Sequence, residues 1–317
     1  MTGYLIRRLL QAIVVVVGVT IVAFILQNLV ATGPALARAI IGPRATTAQI
    51  HVFISTYGLS QPMPVQYAHF LWQLLHGNLG YSYKQNQSVD AILAQQLPKD
   101  IVLVGTSLIL SLLIAIPLGV AQAVRRNGVI DHVSTGISFL LYSMPIYWLS
   151  LLLIAAFSVS LRWLPAEAPQ GVNVGQILAD PAGLVLPVLS LTLVNYALFS
   201  RYMRSAAIES LAQDYIRTAR AKGLTERYLL RRHLLRNSLI PVTTMVGLSL
   251  PGILTAGLVT EYVFNFPGIG LTFFNAAVTS DYPVELGIAV LVGLVTVAGN
   301  LLADIGYAVL DPRVRYE

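Results

Sequence analysis

The sequence predicts an all-α integral membrane protein of six transmembrane helices, and three observations carry that prediction. Of its 317 residues 56% are hydrophobic and only 11% charged, with a mean hydropathy of +0.72, whereas a soluble domain carries about 25% charged residues. Six apolar runs, at 9–30, 101–124, 137–161, 184–203, 239–259 and 286–309, approach the roughly 20 residues that cross a bilayer core. The basic residues then segregate. With the N-terminus inside, 15 of the 20 Lys and Arg fall on the cytoplasmic side, and only Arg38, Arg44, Lys84, Lys99 and Arg162 lie outside, as expected for positively charged loops retained in the cytoplasm. Both termini are then cytoplasmic, and the net charge of +6 is a topology signal. Binding of nucleic acid is excluded in the same step.

The first run follows Arg7 and Arg8 and precedes Ala35-Leu36-Ala37, which superficially resembles a cleaved leader. Its length exceeds the roughly 7 to 15 residues of a leader's apolar region, so a retained first span is expected. A long outside segment follows, at 31–100, and divides the chain. Residues 1–96 hold the first span and this segment, 97–312 form a five-helix body, and 313–317 are a cytoplasmic tail. Gly and Pro at 57–64 punctuate turns, and the amphipathic stretch 65–75 places Phe70, Leu71, Leu74 and Leu75 against the membrane or the helical body.

Four spans carry proline, at Pro117, Pro145, Pro187 and Pro251. Each removes a backbone donor and marks a kink or a helix end, and as a set they suit a bundle with bending points. Polar groups at membrane depth, Ser143, Tyr147, Asn195 and Thr255, serve either a pathway or hydrogen bonds between packed helices. Asp304, beside Asn300 in the sixth span, is a costly intramembrane carboxylate and is expected to anchor the bundle by pairing with a base such as Arg201 or by accepting hydrogen bonds, with a proton relay as the alternative. Glu261 falls at the outer end of the fifth span.

Signatures of catalysis are missing from the sequence. It has no cysteine, no G-x-x-x-x-G-K-[ST] loop, and no H-E-x-x-H among His51, His69, His76, His132 and His233. Neither nucleotide hydrolysis nor a bound metal is expected of this chain.

The most informative stretch joins the fourth and fifth spans, within the loop 204–238. Asp214 is expected to cap a short helix that begins at Tyr215, and Gly223 to end it. Thr225 then starts a second helix from Glu226 to about Asn237. Ala219, Ala221 and Gly223 alternate with Arg217, Arg220 and Lys222. Ala219 and Gly223, one turn apart with Ile216, form a shallow face on which another backbone can settle, bordered by Arg220 and Arg227.

Several runs together closely resemble the permease subunits of ATP-binding-cassette importers of the dipeptide, oligopeptide and nickel family. They are YLIRR at 4–8, YGLSQPMPVQY at 57–67, GNLGYSY at 77–83, DYIRTARAKGL at 214–224, EYVFNFPGIG at 261–270 and LDPRVR at 310–315. Arg217, Thr218 and Ala219 stand in the E-A-A places of the family's E-A-A-x-x-x-G loop, and Gly223 in its glycine place. The leading Glu is absent and Pro241 lies farther from the glycine, as in the peptide branch. The resemblance implies the type I importer transmembrane fold and half of a translocation pathway in a bacterial inner membrane. It also implies a second, homologous permease chain, two ATPase subunits that hold ATP and magnesium, and an external solute-binding protein. Asp214, Tyr215, Ala219, Arg220, Ala221, Lys222, Gly223 and Leu224 are then the ATPase-coupling residues. Peptide is the implied cargo, with nickel, glutathione or oligosaccharide as alternatives; an ion-coupled carrier and an intramembrane enzyme are the readings from other classes.

Overall fold

The computed structural model describes residues 2–30, 33–42, 44–56 and 58–310, without the side chains of 2–9, 251–256, 302–310 and a few single positions. Helix α1 (Thr2–Val30) leads into a cap of three short helices, α2 (Gly33–Ile41), α3 (Thr47–Thr56) and α4 (Met63–Leu75). A two-residue hairpin follows, β1 (Tyr81–Ser82) against β2 (Gln87–Ser88), with Tyr81 opposite Ser88. The body comprises α5 (Val89–Val124), α6 (Val129–Ser143), α7 (Ile146–Leu153) with a π-helical extension Ile154–Ser160, α8 (Val174–Ala179) and α9 (Pro181–Leu211). It continues with α10 (Asp214–Ala221), α11 (Glu226–Leu229), a π-helical stretch Leu230–Leu234, α12 (Leu235–Phe264), α13 (Ile269–Thr279) and α14 (Tyr282–Leu310).

Among the described residues three helices are long and apolar enough to cross a bilayer: Val89–Val124, Pro181–Leu211 and Tyr282–Gly299. A fourth arises if α6 and α7 with its extension count as one span, bent by 107°. The expected third span, 137–161, is therefore not one straight helix. Pro145 has no N–H to donate and drives Met144 out of the helical region, to φ −80° and ψ 130°, which ends α6 at Ser143. Pro117, Pro187 and Pro251 instead sit inside unbroken helices. Of the four, Pro145 alone separates two helices.

Helix α9 is the axis of the body, packed by α5, α6, α7 and α12. Its Leu186, Leu191, Ala197, Phe199, Met203 and Ala207 are buried, so the fourth expected span is hydrophobic nearly all round because protein surrounds it. Helix α5 comes very close: a Cβ at Gly119 would lie 2.7 Å from the Cβ of Met203. Gln122 Nε2 donates to Ser200 Oγ at 3.0 Å across the same seam. Helix α5 also begins twelve residues before the expected span and carries Lys99 and Asp100 within it. Over its 36 residues it is about 54 Å long, well beyond the bilayer core.

Candidate functional site: the basic loop and a buried charge cluster at the opposite end

At the basic end, two charge pairs set the loop. Arg204 grips Asp131 through both carboxylate oxygens, at 2.6 and 2.9 Å, and Asp131 also accepts from the backbone N–H of Asn127 at 3.0 Å. This ties the start of α6 to α9 just before the loop begins. Within the loop, Arg220 Nε donates to Glu226 Oε1 at 2.9 Å, which joins α10 to α11.

Helix α10 starts at Asp214 and not at Tyr215. Gln213 holds the cap position and no side chain caps it; Asp214 instead places its charge in the first turn, favourable beside the partial positive end of the helix. The C-terminus ends as the glycine requires. Gly223 adopts φ +74°, its N–H donates to Arg220 O at 2.9 Å, and the N–H of Leu224 reaches Ala219 O at 3.3 Å. This paired closure is the Schellman arrangement.

The small-residue face is turned the other way from expectation. Ile216 and Ala219 are buried against Leu229 and Leu230 of the following segment, so they hold the two-helix unit together and offer no free groove. Asp214, Tyr215, Arg217, Arg220, Ala221, Lys222, Gly223 and Leu224 are exposed. The outward surface is thus mixed basic and apolar, with Ala221 and Gly223 as its small positions. Nor does the second helix end near Asn237. It runs from Glu226 through the π-helical Leu230–Leu234 into α12 without a break, so the loop is continuous with the fifth expected span.

Of the polar residues expected at membrane depth, Ser143, Tyr147 and Asn195 have described side chains. Ser143 and Tyr147 are exposed on either side of the Pro145 break, and Ser143 Oγ donates back to Phe139 O at 2.8 Å, which uses it locally. Asn195 is buried with its Nδ2 unpartnered. Thr255 and Asp304 lie on α12 and α14, but their side chains fall outside the described residues. Arg201 lies over the rings of Phe139 and Tyr142, 5.6 and 4.9 Å from their centroids, a cation–π setting beside the bend.

The structure assembles a second cluster that the sequence reading missed. Lys99, Asp100 and Glu261 are 2%, 3% and 1% exposed, and they gather at the N-terminus of α13. Both oxygens of Asp100 lie 3.1 Å from the backbone N of Ile269, and Glu261 Oε2 accepts from the N–H of Leu271 at 3.0 Å. Two carboxylates thus satisfy amides that the first turn of a helix leaves free. Lys99 Nζ donates to Gly171 O at 3.2 Å, fastening the segment before α8 to the same point.

Glycine is obligatory at the centre of this cluster. A Cβ on Gly268 would lie 2.2 Å from Asp100 Oδ1 and 2.4 Å from Glu261 Oε2, and one on Gly270 would lie 2.3 Å from Leu258 Cα. Asn265, left-handed at φ 51°, extends the clasp: its Nδ2 donates to Glu167 and its carbonyl accepts from Gln170, both at 2.6 Å. The EYVFNFPGIG run therefore encodes a buckle between α12, α13, the first third of α5 and the segment before α8. The available signal was its pair of glycines after Glu261 together with adjacent Lys99 and Asp100 at the mouth of an apolar run.

Comparison with known proteins follows the same outline. Residues 115–316 match the family described as binding-protein-dependent transport system inner membrane component, and residues 1–104 match its N-terminal region. The oligopeptide transport system permease protein AppB of Bacillus subtilis (strain 168) is 37% identical, with 100% of each chain covered. The dipeptide transport system permease protein DppB of Escherichia coli (strain K12) is 32% identical, again over 100% of each chain. Among solved structures, the MetNI methionine ABC transporter in inward-facing conformations has a chain that superposes with a TM-score of 0.52 at 18% identity, covering 68% of this chain and 96% of that one. That likeness concerns the fold.

Proposed function

This chain belongs to the inner membrane components of binding-protein-dependent transport systems, and we propose that it is the permease subunit forming half of the pathway of an ATP-driven peptide importer. The observation that carries this reading is end-to-end similarity to permeases named for oligopeptide and dipeptide transport. In this reading the chain crosses a bacterial inner membrane six times, with both termini and the basic loop in the cytoplasm. Residues 97–312 make the five-helix body after the 1–96 unit. A second homologous permease completes the pathway, two ATPase subunits hold ATP and magnesium, and an external solute-binding protein delivers the peptide.

The coupling surface is the outward side of the loop: Asp214, Tyr215, Arg220, Ala221, Lys222, Gly223 and Leu224, with Ala219 fixing that side from beneath. Movement reaches the spans because the loop is pinned at both ends. Arg204–Asp131 ties its entry to α6, and the unbroken run from Glu226 into α12 leaves little slack at its exit. ATP drives transport only if the ATPases bind one permease conformation more tightly than the other. A rigid two-helix unit transmits that difference, and the α6–α7 break, with Ser143, Tyr147 and Arg201 about it, is a place for the pathway to change shape.

The test of cargo is uptake of radiolabelled dipeptides and pentapeptides by vesicles holding the full complex, the binding protein and ATP inside. Saturable, ATP-dependent accumulation of peptide supports the reading. Accumulation of nickel or an oligosaccharide, with peptides ignored, overturns the cargo and leaves the permease assignment standing.

A further inference from the structure

Helix α4 has an outer surface that its position does not explain. Its thirteen residues, MPVQYAHFLWQLL, include no Asp, Glu, Lys or Arg, and none of them is buried within the chain. A helix bathed in water on one side ordinarily carries charge there. Phe70, Leu71 and Leu74 are half-buried, Phe70 against Phe24 of α1, while Val65, Ala68, Trp72 and Leu75 are exposed, with His69 at the edge of the same side, Trp72 by 63% and Leu75 by 81%. Their spacing of three, four and three places them on one face.

The depth of this face is fixed by contacts with α1. The hydroxyl of Tyr67 lies 2.9 Å from Thr20 Oγ1, and the ring of Phe24 packs on Tyr67 and Phe70 with centroids 5.5 and 6.0 Å apart. Thr20 is ten residues short of the last residue of α1, Val30, a drop of about 15 Å along the axis. Helix α4 therefore lies beside the apolar length of α1 and not above its end. Ile21, Val22 and Ile25 of α1, at the same level of that helix as Thr20 and Phe24, are exposed as well. Its polar groups are tied off within the segment: Gln73 Nε2 with His69 Nε2 at 2.9 Å, His76 Nδ1 with Trp72 O at 2.8 Å, and Gln66 Nε2 with Gln61 O at 2.8 Å.

We propose that α4 is an in-plane membrane helix, with Val65, Ala68, Trp72 and Leu75 seated among lipids of the leaflet at the end of the bundle opposite the basic loop. A face without Asp, Glu, Lys or Arg that carries one indole, with an imidazole at its edge, fits the boundary between headgroups and acyl chains. A soluble partner docking on the rim approaches the end of the bundle, about 15 Å from this depth. The inference needs only a membrane-embedded chain; it holds whatever the cargo.

The test is photocrosslinking in the assembled transporter, reconstituted in vesicles of phosphatidylethanolamine and phosphatidylglycerol. Benzoylphenylalanine replaces Trp72 in one preparation, Leu75 in a second, and the exposed hairpin residue Lys84 in a third as control. Leu75, more exposed than Trp72, carries the test by itself if the position-72 variant fails to assemble. Phospholipid adducts, detected by mass spectrometry, are expected at 72 and 75 at tenfold or more the level at 84. Crosslinks to another subunit at 72 and 75, or lipid adducts no higher than at 84, overturn the proposal.

Discussion

Replacing Gly268 with alanine tests the buried buckle directly. The new methyl carbon would sit 2.2 Å from Asp100 Oδ1 and 2.4 Å from Glu261 Oε2, more than 1 Å inside ordinary contact distance for both, and the backbone that follows is held by the very bonds those carboxylates accept. The carboxylates must withdraw from the N–H groups of Ile269 and Leu271. Losing a partner from a buried charged group costs about 3–5 kcal/mol, which corresponds to a fall of roughly 10 °C in melting temperature for a chain of this size. The assay is the melting temperature of the purified complex, followed by loss of the monodisperse peak in size-exclusion chromatography. Gly105→Ala, inside α5 with no atom within 4 Å of its new Cβ, serves as control and is expected to melt at or slightly above the parent. A double-mutant cycle sharpens the result: in an Asp100→Ala, Glu261→Ala background, which itself melts lower, the further cost of Gly268→Ala should drop below about 2 kcal/mol. A Gly268→Ala protein as stable as the parent refutes the reasoning.

Three further outcomes follow from the same geometry. In Gly223→Trp the new Cβ meets nothing within 4 Å, the position is exposed and its left-handed φ costs about 1–2 kcal/mol, so the permease should fold while substrate-stimulated ATPase activity of the complex is lost; normal stimulation would show that this surface does not dock the ATPase. Arg204→Ala leaves Asp131, whose side chain is 3% exposed, without its counter-charge and should cost about 3–5 kcal/mol, with Arg204→Lys recovering only part because an ammonium cannot grip both oxygens; full recovery by Lys in the melting assay contradicts the paired geometry. Burial raises the carboxyl of Asp281 above its ordinary value, with the Ser82 hydroxyl bond opposing it. A carboxyl held this way favours the folded state below its unfolded pKa and loses that contribution as pH rises through the folded value. Asp281→Asn should therefore flatten the decline in melting temperature as pH rises above the ordinary carboxyl value of about 4, and an unchanged profile would show that Asp281 does not drive it.

What the sequence revealed and what it concealed divide along physical lines. Gly223 as a stop was legible because a left-handed turn is a local demand, whereas Pro145 was legible only as one of four candidate kinks or ends, since Pro117, Pro187 and Pro251 carry the same local signal inside unbroken helices. The direction in which Ala219 faces was not legible. Its burial depends on where Leu229 folds back, and small side chains fit equally well inside a hairpin or beneath a foreign backbone. The run from Glu226 into α12 escaped notice because Arg231, Arg232 and Arg236 read as a surface segment, while the π-helical turn that carries the helix onward leaves no mark in composition. Lys99, Asp100 and Glu261 looked like charges at span ends, since their use becomes visible only when residues 161 positions apart meet at one helix terminus. The uncharged character of 63–75 was plain in the sequence, yet its depth beside Thr20 needed the structure.

The central claim is that this chain is a gate moved by ATP hydrolysis in neighbouring subunits. It is tested most directly by comparing peptide uptake into ATP-loaded vesicles that contain the permease pair alone with uptake into vesicles that also contain the ATPase subunits, with binding protein outside in both. The account predicts accumulation only in the second set, abolished there when ATP is replaced by a non-hydrolysable analogue. Concentrative uptake by the permeases alone would contradict it.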